Sequence, residues 1–193
     1  VSGGTISAPG STGKKHIFGR GAFTISGNAQ IDVSMTLDGT LYANGGTIAG
    51  GVMNSYGTIT GSEGAAGTTT FTGAVVNEGT IKDGTFKKKV ENEGTIEGGT
   101  FEDTVRSRTR YGAQKAAVIR DGTFNGPVES YSGIENGVFA GTVESEGTIS
   151  GGTFKDAVMN KAGSTIRNGR FTKAVGNEGT ITGGIFEGTV ENR

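Results

Sequence analysis

One motif recurs nine times in this chain: a large apolar residue, a valine four positions later, and a small amide or hydroxyl side chain two positions after that. The large slots are Ile48, Phe71, Phe86, Phe101, Phe124, Phe139, Phe154, Phe171 and Phe186. The valines are Val52, Val75, Val90, Val105, Val128, Val143, Val158, Val175 and Val190. Five of the eight steps between successive large slots are 15 residues. A unit that short cannot enclose a core alone, so a fixed period of this size implies units that stack on their neighbours.

Within one unit, as in Gly79-Thr-Ile81-Lys-Asp-Gly-Thr-Phe86-Lys-Lys-Lys-Val90-Glu-Asn92, the apolar positions through Ile96 lie five, four and six residues apart. Neither the 3.6-residue helical period nor a long alternation fits this spacing, and Gly and Thr at this density disfavour helix. Three very short strands do fit, each turning one large residue inward and its two neighbours outward, with glycine at the corners. The predicted fold is all-β: a single-stranded parallel β-solenoid, narrow and roughly triangular, with about 15 residues per coil. The regular part runs from 45 to 193 as about nine coils.

Stacking at a 15-residue offset makes two further predictions. The residues two past each valine are Asn54, Asn77, Asn92, Ser107, Ser130, Ser145, Asn160, Asn177 and Asn192. Inward at a corner, these asparagines form a structural ladder, bonding their equivalents above and below and otherwise orphaned turn amides. On the outside the same offset places Lys82 beside Glu97, Lys87 beside Glu102, Lys88 beside Asp103, Glu91 beside Arg106 and Glu93 beside Arg108. All are opposite charges, and such pairs set register more than they create a site.

Composition narrows function mainly by exclusion. The formal net charge of −1 and even mixing of signs give no global field for a nucleic acid or a membrane surface. The chain has no cysteine and a single histidine, His16, which removes disulfides, thiolate metal sites and the usual nucleophile–base pairs. We therefore expect no enzyme activity, no metal and no cofactor. No apolar run reaches the roughly 18 residues of a membrane span. No Asn-x-Ser/Thr acceptor for N-glycosylation occurs. Gly10-Ser-Thr-Gly13-Lys14-Lys15 has only a superficial likeness to a phosphate loop, without the full spacing or a preceding apolar strand. The chain stops in mid-repeat at Thr189-Val190-Glu191-Asn192-Arg193, which leads us to expect part of a longer protein.

Departures from the period are the places to look for a site, because insertions in a solenoid project from one edge without disturbing the stack. Thr60 to Thr70 is small, glycine-rich and reads as a plain loop. Lys161-Ala-Gly-Ser-Thr adds two residues and reads as a wider corner. The stretch from Arg106 to Arg120 holds five cations and no acid. Its Arg108, Arg110, Tyr111, Lys115 and Arg120 are the candidate ligand-binding residues: guanidinium grips carboxylate or sulfate bidentately, and a neighbouring tyrosine stacks on a sugar. Pro127, which lacks an N–H, predicts a bulge or an unpaired edge. Residues 1 to 44 fit the unit poorly and are expected to form an irregular cap or broader coils, with Ile31-Asp-Val33-Ser-Met35-Thr-Leu37 as one longer half-buried strand.

The stretch from Asn77-Glu-Gly-Thr-Ile81 to Val90, repeated from Asn177-Glu-Gly-Thr-Ile181 to Val190, resembles the Gly-Thr-Ile, Gly-Gly-Thr-Phe, Gly-Thr-Val, Asn repeats of bacterial extracellular adhesin-like β-solenoid proteins. The resemblance covers residues 45 to 193 and implies a location outside the cell or in the bacterial cell wall, with a role in display or adhesion. The expected function is a non-enzymatic structural and adhesive segment whose partners are host or matrix glycans or proteins. The alternative is a carbohydrate-binding module recognising acidic glycans. Ice binding is a lesser alternative, disfavoured because Lys, Glu and Arg interrupt the outward threonine columns, as in Thr85-Phe86-Lys87 and Thr100-Phe101-Glu102. A polysaccharide-degrading enzyme is another, disfavoured because a 15-residue coil leaves little room for a cleft.

Overall fold

The computed structural model describes residues 5–6, 16–61, 67–113 and 115–193. They form an all-β solenoid of about ten turns with roughly 15 to 17 residues per turn, and every strand pairing is parallel. Each regular coil contributes three strands, as in Thr80–Ile81, Thr85–Phe86 and Val90–Asn92. They belong to an Ile face, a Phe face and a Val–Asn face. Register is strict: Ile81 lies against Ile96, Phe86 against Phe101, Val90 against Val105 and Asn92 against Ser107. The Val–Asn face is a sheet of 11 strands. At ~4.8 Å per strand, a stack of that depth is about 48 Å long.

From the Phe71 coil onward, like packs on like in the apolar interior. Phe71, Phe86, Phe101, Phe124, Phe139, Phe154, Phe171 and Phe186 form one column with ring centroids 4.6 to 4.9 Å apart and planes within 12° of parallel. Strand spacing sets that separation, which falls in the range where stacked rings attract. The corner before each phenylalanine from Phe86 onward requires glycine. Gly84 has φ 129°, and a Cβ there would lie 2.8 Å from Phe71 Cε2 and 2.9 Å from Phe86 Cζ. Its equivalents Gly99, Gly122, Gly137, Gly152, Gly169 and Gly184 have φ between 103° and 137°. Only a residue without Cβ lets the backbone turn there while the rings fill the corner.

The asparagine ladder forms, and it has a direction. Asn54 Nδ2 donates to Asn77 Oδ1 at 2.7 Å, and Asn77 Nδ2 donates to Asn92 Oδ1 at 2.7 Å. Asn92 Nδ2 donates to Ser107 Oγ at 3.0 Å. After the serine rungs the ladder resumes, with Asn160 donating to Asn177 at 2.7 Å and Asn177 to Asn192 at 2.8 Å. Second bonds from the same amides reach corner carbonyls, such as those of Gly79 and Thr95 from Asn77. At the restart, Ser164 Oγ donates to Asn160 Oδ1 at 2.6 Å, the job an asparagine below would otherwise do. The two extra residues of the Lys161–Thr165 corner thus deliver a buried donor as well as widening the turn. At the first rung Leu37 lies beneath Asn54, and Asn54 Oδ1 is buried without a donor.

Residues 16 to 44 continue the stack on longer strands. Ala22–Ile31 and Thr40–Ile48 run through the corner between the Ile and Phe faces, pairing Ile25 with Ala43 and Ile31 with Ile48 across one register shift between Gly27 and Gln30. Three sequence expectations need correction. Ile31 to Leu37 is not one strand: the chain turns at Asp32–Val33, and Ser34–Leu37 belongs to the Val–Asn face, so alternation spans a corner with inward residues on both sides. Pro127 causes no bulge. Its carbonyl accepts from Val105 N at 2.9 Å, and the equivalent N–H groups of Thr104 and Ala157 bond the preceding aspartates instead of the sheet, so proline loses nothing there. The third concerns the charge pairs. Lys82–Glu97, Lys87–Glu102 and Arg108–Glu93 form, whereas Arg106 turns to Glu129 and Tyr131, Glu91 pairs with Lys89, and Asp103 caps Thr104.

Candidate binding cleft under the basic insertion

The insertion between Val105–Ser107 and Val118–Ile119 folds back along the rod. Two ion pairs draw it there. Arg108 Nη2 meets Glu93 Oε1 at 3.1 Å, one coil earlier, and Arg110 Nη1 donates to Glu78 Oε1 at 2.6 Å, two coils earlier. Glu78 and Glu93 each follow a ladder asparagine and Arg108 follows Ser107, so corner register puts these partners in line. A tight turn reverses the loop at its tip, closed by Ala113 N on Arg110 O at 3.1 Å with Gly112 at φ 76°. Its base is tied by Ala117 N donating to Thr109 Oγ1 at 3.1 Å. The folded loop covers Thr95, whose exposure falls to 2%.

Between loop and rod lies a cleft of about 580 Å³, within the size range of small-ligand sites. Tyr56, Glu78, Glu93, Arg110, Tyr111 and Lys115 line it, with Thr80 and Thr95 on the Ile face. The two tyrosines are 81% and 104% exposed, whereas the phenylalanine column is sealed from Phe71 to Phe171. The Glu78 and Glu93 side chains, at 16% and 13%, are largely covered. The arrangement offers aromatic faces beside hydrogen-bonding groups of both signs.

Of the five residues singled out in the sequence, Arg110, Tyr111 and Lys115 line this cleft, and Arg108 stands behind it through Glu93. Arg120 does not join them. It sits in an outward column of the Ile face between Glu97 (3.0 Å) and Glu135 (3.4 Å), extending an alternating Lys82–Glu97–Arg120–Glu135 series. Sequence reasoning missed Tyr56 and the carboxylates as cleft walls. Tyr56 comes from three coils earlier, and its signal was only its place just past Asn54.

A second, shallower groove of about 510 Å³ runs along the Val–Asn face over Val143, Val158 and Met159, where Gly176 leaves a gap in the outward column. Its charges are spoken for within the rod. Lys161 Nζ lies 2.7 Å from Glu144, whose hydrogen bond raises the lysine's pKa above its ordinary value. Arg106 bonds the Tyr131 hydroxyl at 3.1 Å and sits over its ring, and that hydrogen bond, ahead of the nearby carboxylates, raises its pKa too. His16, edge-on to Phe18, is hydrogen-bonded to the Thr36 hydroxyl at 2.6 Å. Among the described residues no three His, Asp or Glu side chains converge on a common point. Gly10 to Lys15 and the centre of the Thr60–Thr70 loop lie outside the described residues.

No family model matches this chain, and neither a curated protein nor a solved structure does.

Proposed function

We propose that this chain is a non-enzymatic structural and adhesive segment of a secreted or cell-surface bacterial protein. Its parallel stack provides reach, and the loops on its edges contact host or matrix molecules. The observation that carries this reading is the unbroken interior: from Met35 to Val175 the apolar columns are sealed and the outward charges largely pair with each other. Such a rod is stiff because each coil is held on both sides, and a stiff rod transmits contacts made at its loops. Beads coated with the purified segment should attach to epithelial cells, mucin or collagen above the level of beads carrying an unrelated solenoid. Equal attachment by both would refute the reading.

A second reading, a carbohydrate-binding module, is favoured by the cleft under the basic insertion. Exposed tyrosines beside covered carboxylates and a guanidinium are the groups that stack on sugar rings and bond their hydroxyls. Binding of the segment on a glycan array tests it directly, and the absence of any bound glycan would remove it.

A further inference from the structure

Resting on that second reading, we propose that the Tyr56–Tyr111 cleft binds a neutral pyranose unit of a glycan, and not an acidic sugar. The charges settle the ligand class. The lining holds two cations, Arg110 and Lys115, against two carboxylates, Glu78 and Glu93, and Arg108 behind Glu93 adds a third cation, so the site carries no more than one net positive charge. Arg110 is already held by Glu78 at 2.6 Å, and Arg108 by Glu93 at 3.1 Å. A guanidinium engaged by its own carboxylate has less to offer an incoming anion, and the carboxylate repels it. A sugar hydroxyl meets no such opposition. It donates to the free lone pairs of Glu78 or Glu93 and accepts from Lys115, while charged partners make these bonds stronger than neutral ones.

The tyrosines provide the other half of recognition. Two exposed aromatic side chains on one cleft of about 580 Å³ give the apolar face of a pyranose a surface to cover. They approach from different parts of the chain. Tyr56 stands on the rod and Tyr111 at the loop's tight turn, so the Arg108–Glu93 and Arg110–Glu78 pairs fix the distance between them. The ion pairs therefore position the binding residues and do not themselves recognise charge.

The test is an array of neutral and acidic glycans, followed by calorimetric titration of the best binder against the wild type, Tyr56→Ala, Tyr111→Ala and Lys115→Ala. Both tyrosines are exposed, and circular dichroism checks that each variant remains folded. The proposal expects a neutral glycan to bind best and each tyrosine variant to lose at least tenfold in affinity. Preference for sialylated, uronate or sulfated glycans overturns the neutral assignment while leaving carbohydrate binding intact. Neutral binding untouched by both tyrosine substitutions overturns the site. No binding to any glycan overturns this inference and the second reading together. Saturation-transfer NMR on the wild type gives a readout independent of any variant: saturation on ring protons of the neutral sugar supports the inference, and its absence opposes it.

Discussion

Replacing Asn77 by alanine should destabilise the rod by roughly 3 to 5 kcal/mol. The residue is fully buried in the middle of the amide ladder. Its loss takes the 2.7 Å donor from Asn92 Oδ1, removes the acceptor that Asn54 Nδ2 reaches at 2.7 Å, and leaves a void the size of an amide. An unsatisfied buried acceptor costs about 1 to 3 kcal/mol by itself. Asn54→Ala is the internal control. Asn54 Oδ1 already lacks a donor, so its removal eliminates one orphan while creating another at Asn77 Oδ1, and the net cost should be about 1 to 2 kcal/mol. A third variant, Asn77→Asp, adds a pH signature. Burial, and the facing Asn92 oxygen, raise the carboxyl's folded pKa above its unfolded value of ~3.9. The folded state then holds the proton longer than the unfolded state, so the damage is fully present above the folded pKa and recedes as pH falls toward the unfolded one. Urea unfolding followed by far-UV circular dichroism at pH 7 and pH 4 measures all three. Equal costs for Asn54→Ala and Asn77→Ala would refute the directional ladder. So would a gap between Asn77→Asp and Asn77→Ala that stays constant with pH.

Gly84→Ala places a Cβ 2.8 Å from the Phe71 ring at a φ of 129°, and should cost about 2 to 4 kcal/mol in the same assay. Gly112→Ala, with φ 76° but nothing within 4 Å, should cost only about 1 kcal/mol. Arg120→Ala cuts the exposed Lys82–Glu97–Arg120–Glu135 series, and its effect should stay within about 1 kcal/mol and vanish in ~1 M salt, as a melting series in NaCl would report. Lys161, raised in pKa by Glu144, contributes stability that is present below the ordinary lysine pKa and lost as pH climbs through the raised one. Alkaline melting curves of wild type and Glu144→Gln should therefore converge as pH rises past that value.

Much of the architecture was legible because a 15-residue period leaves few alternatives. Phe86 against Phe101, Val90 against Val105 and Asn77 against Asn92 all follow from one offset. So do Lys82–Glu97 and Arg108–Glu93, since parallel register carries outward neighbours along with inward ones. The same offset misled at Arg106, because each outward residue has a neighbour on both sides. Glu129, together with the hydroxyl and ring of Tyr131, outcompeted Glu91. At Ile31–Leu37 an alternating pattern concealed a corner, since a turn that keeps inward residues inward is invisible to periodicity.

Local periodicity in the chain thus determined the parallel stack, its columns and the ladder, because contacts between identical positions depend only on spacing. Only the folded molecule decided where the aperiodic insertion goes. It lies back across two coils because Glu78 and Glu93 reach its arginines, and that fold brings Tyr111 to the same cleft as Tyr56, a residue 55 positions earlier. The insertion has no counterpart in the repeat, so its partners are set by long-range charge and free space, which no sequence interval encodes.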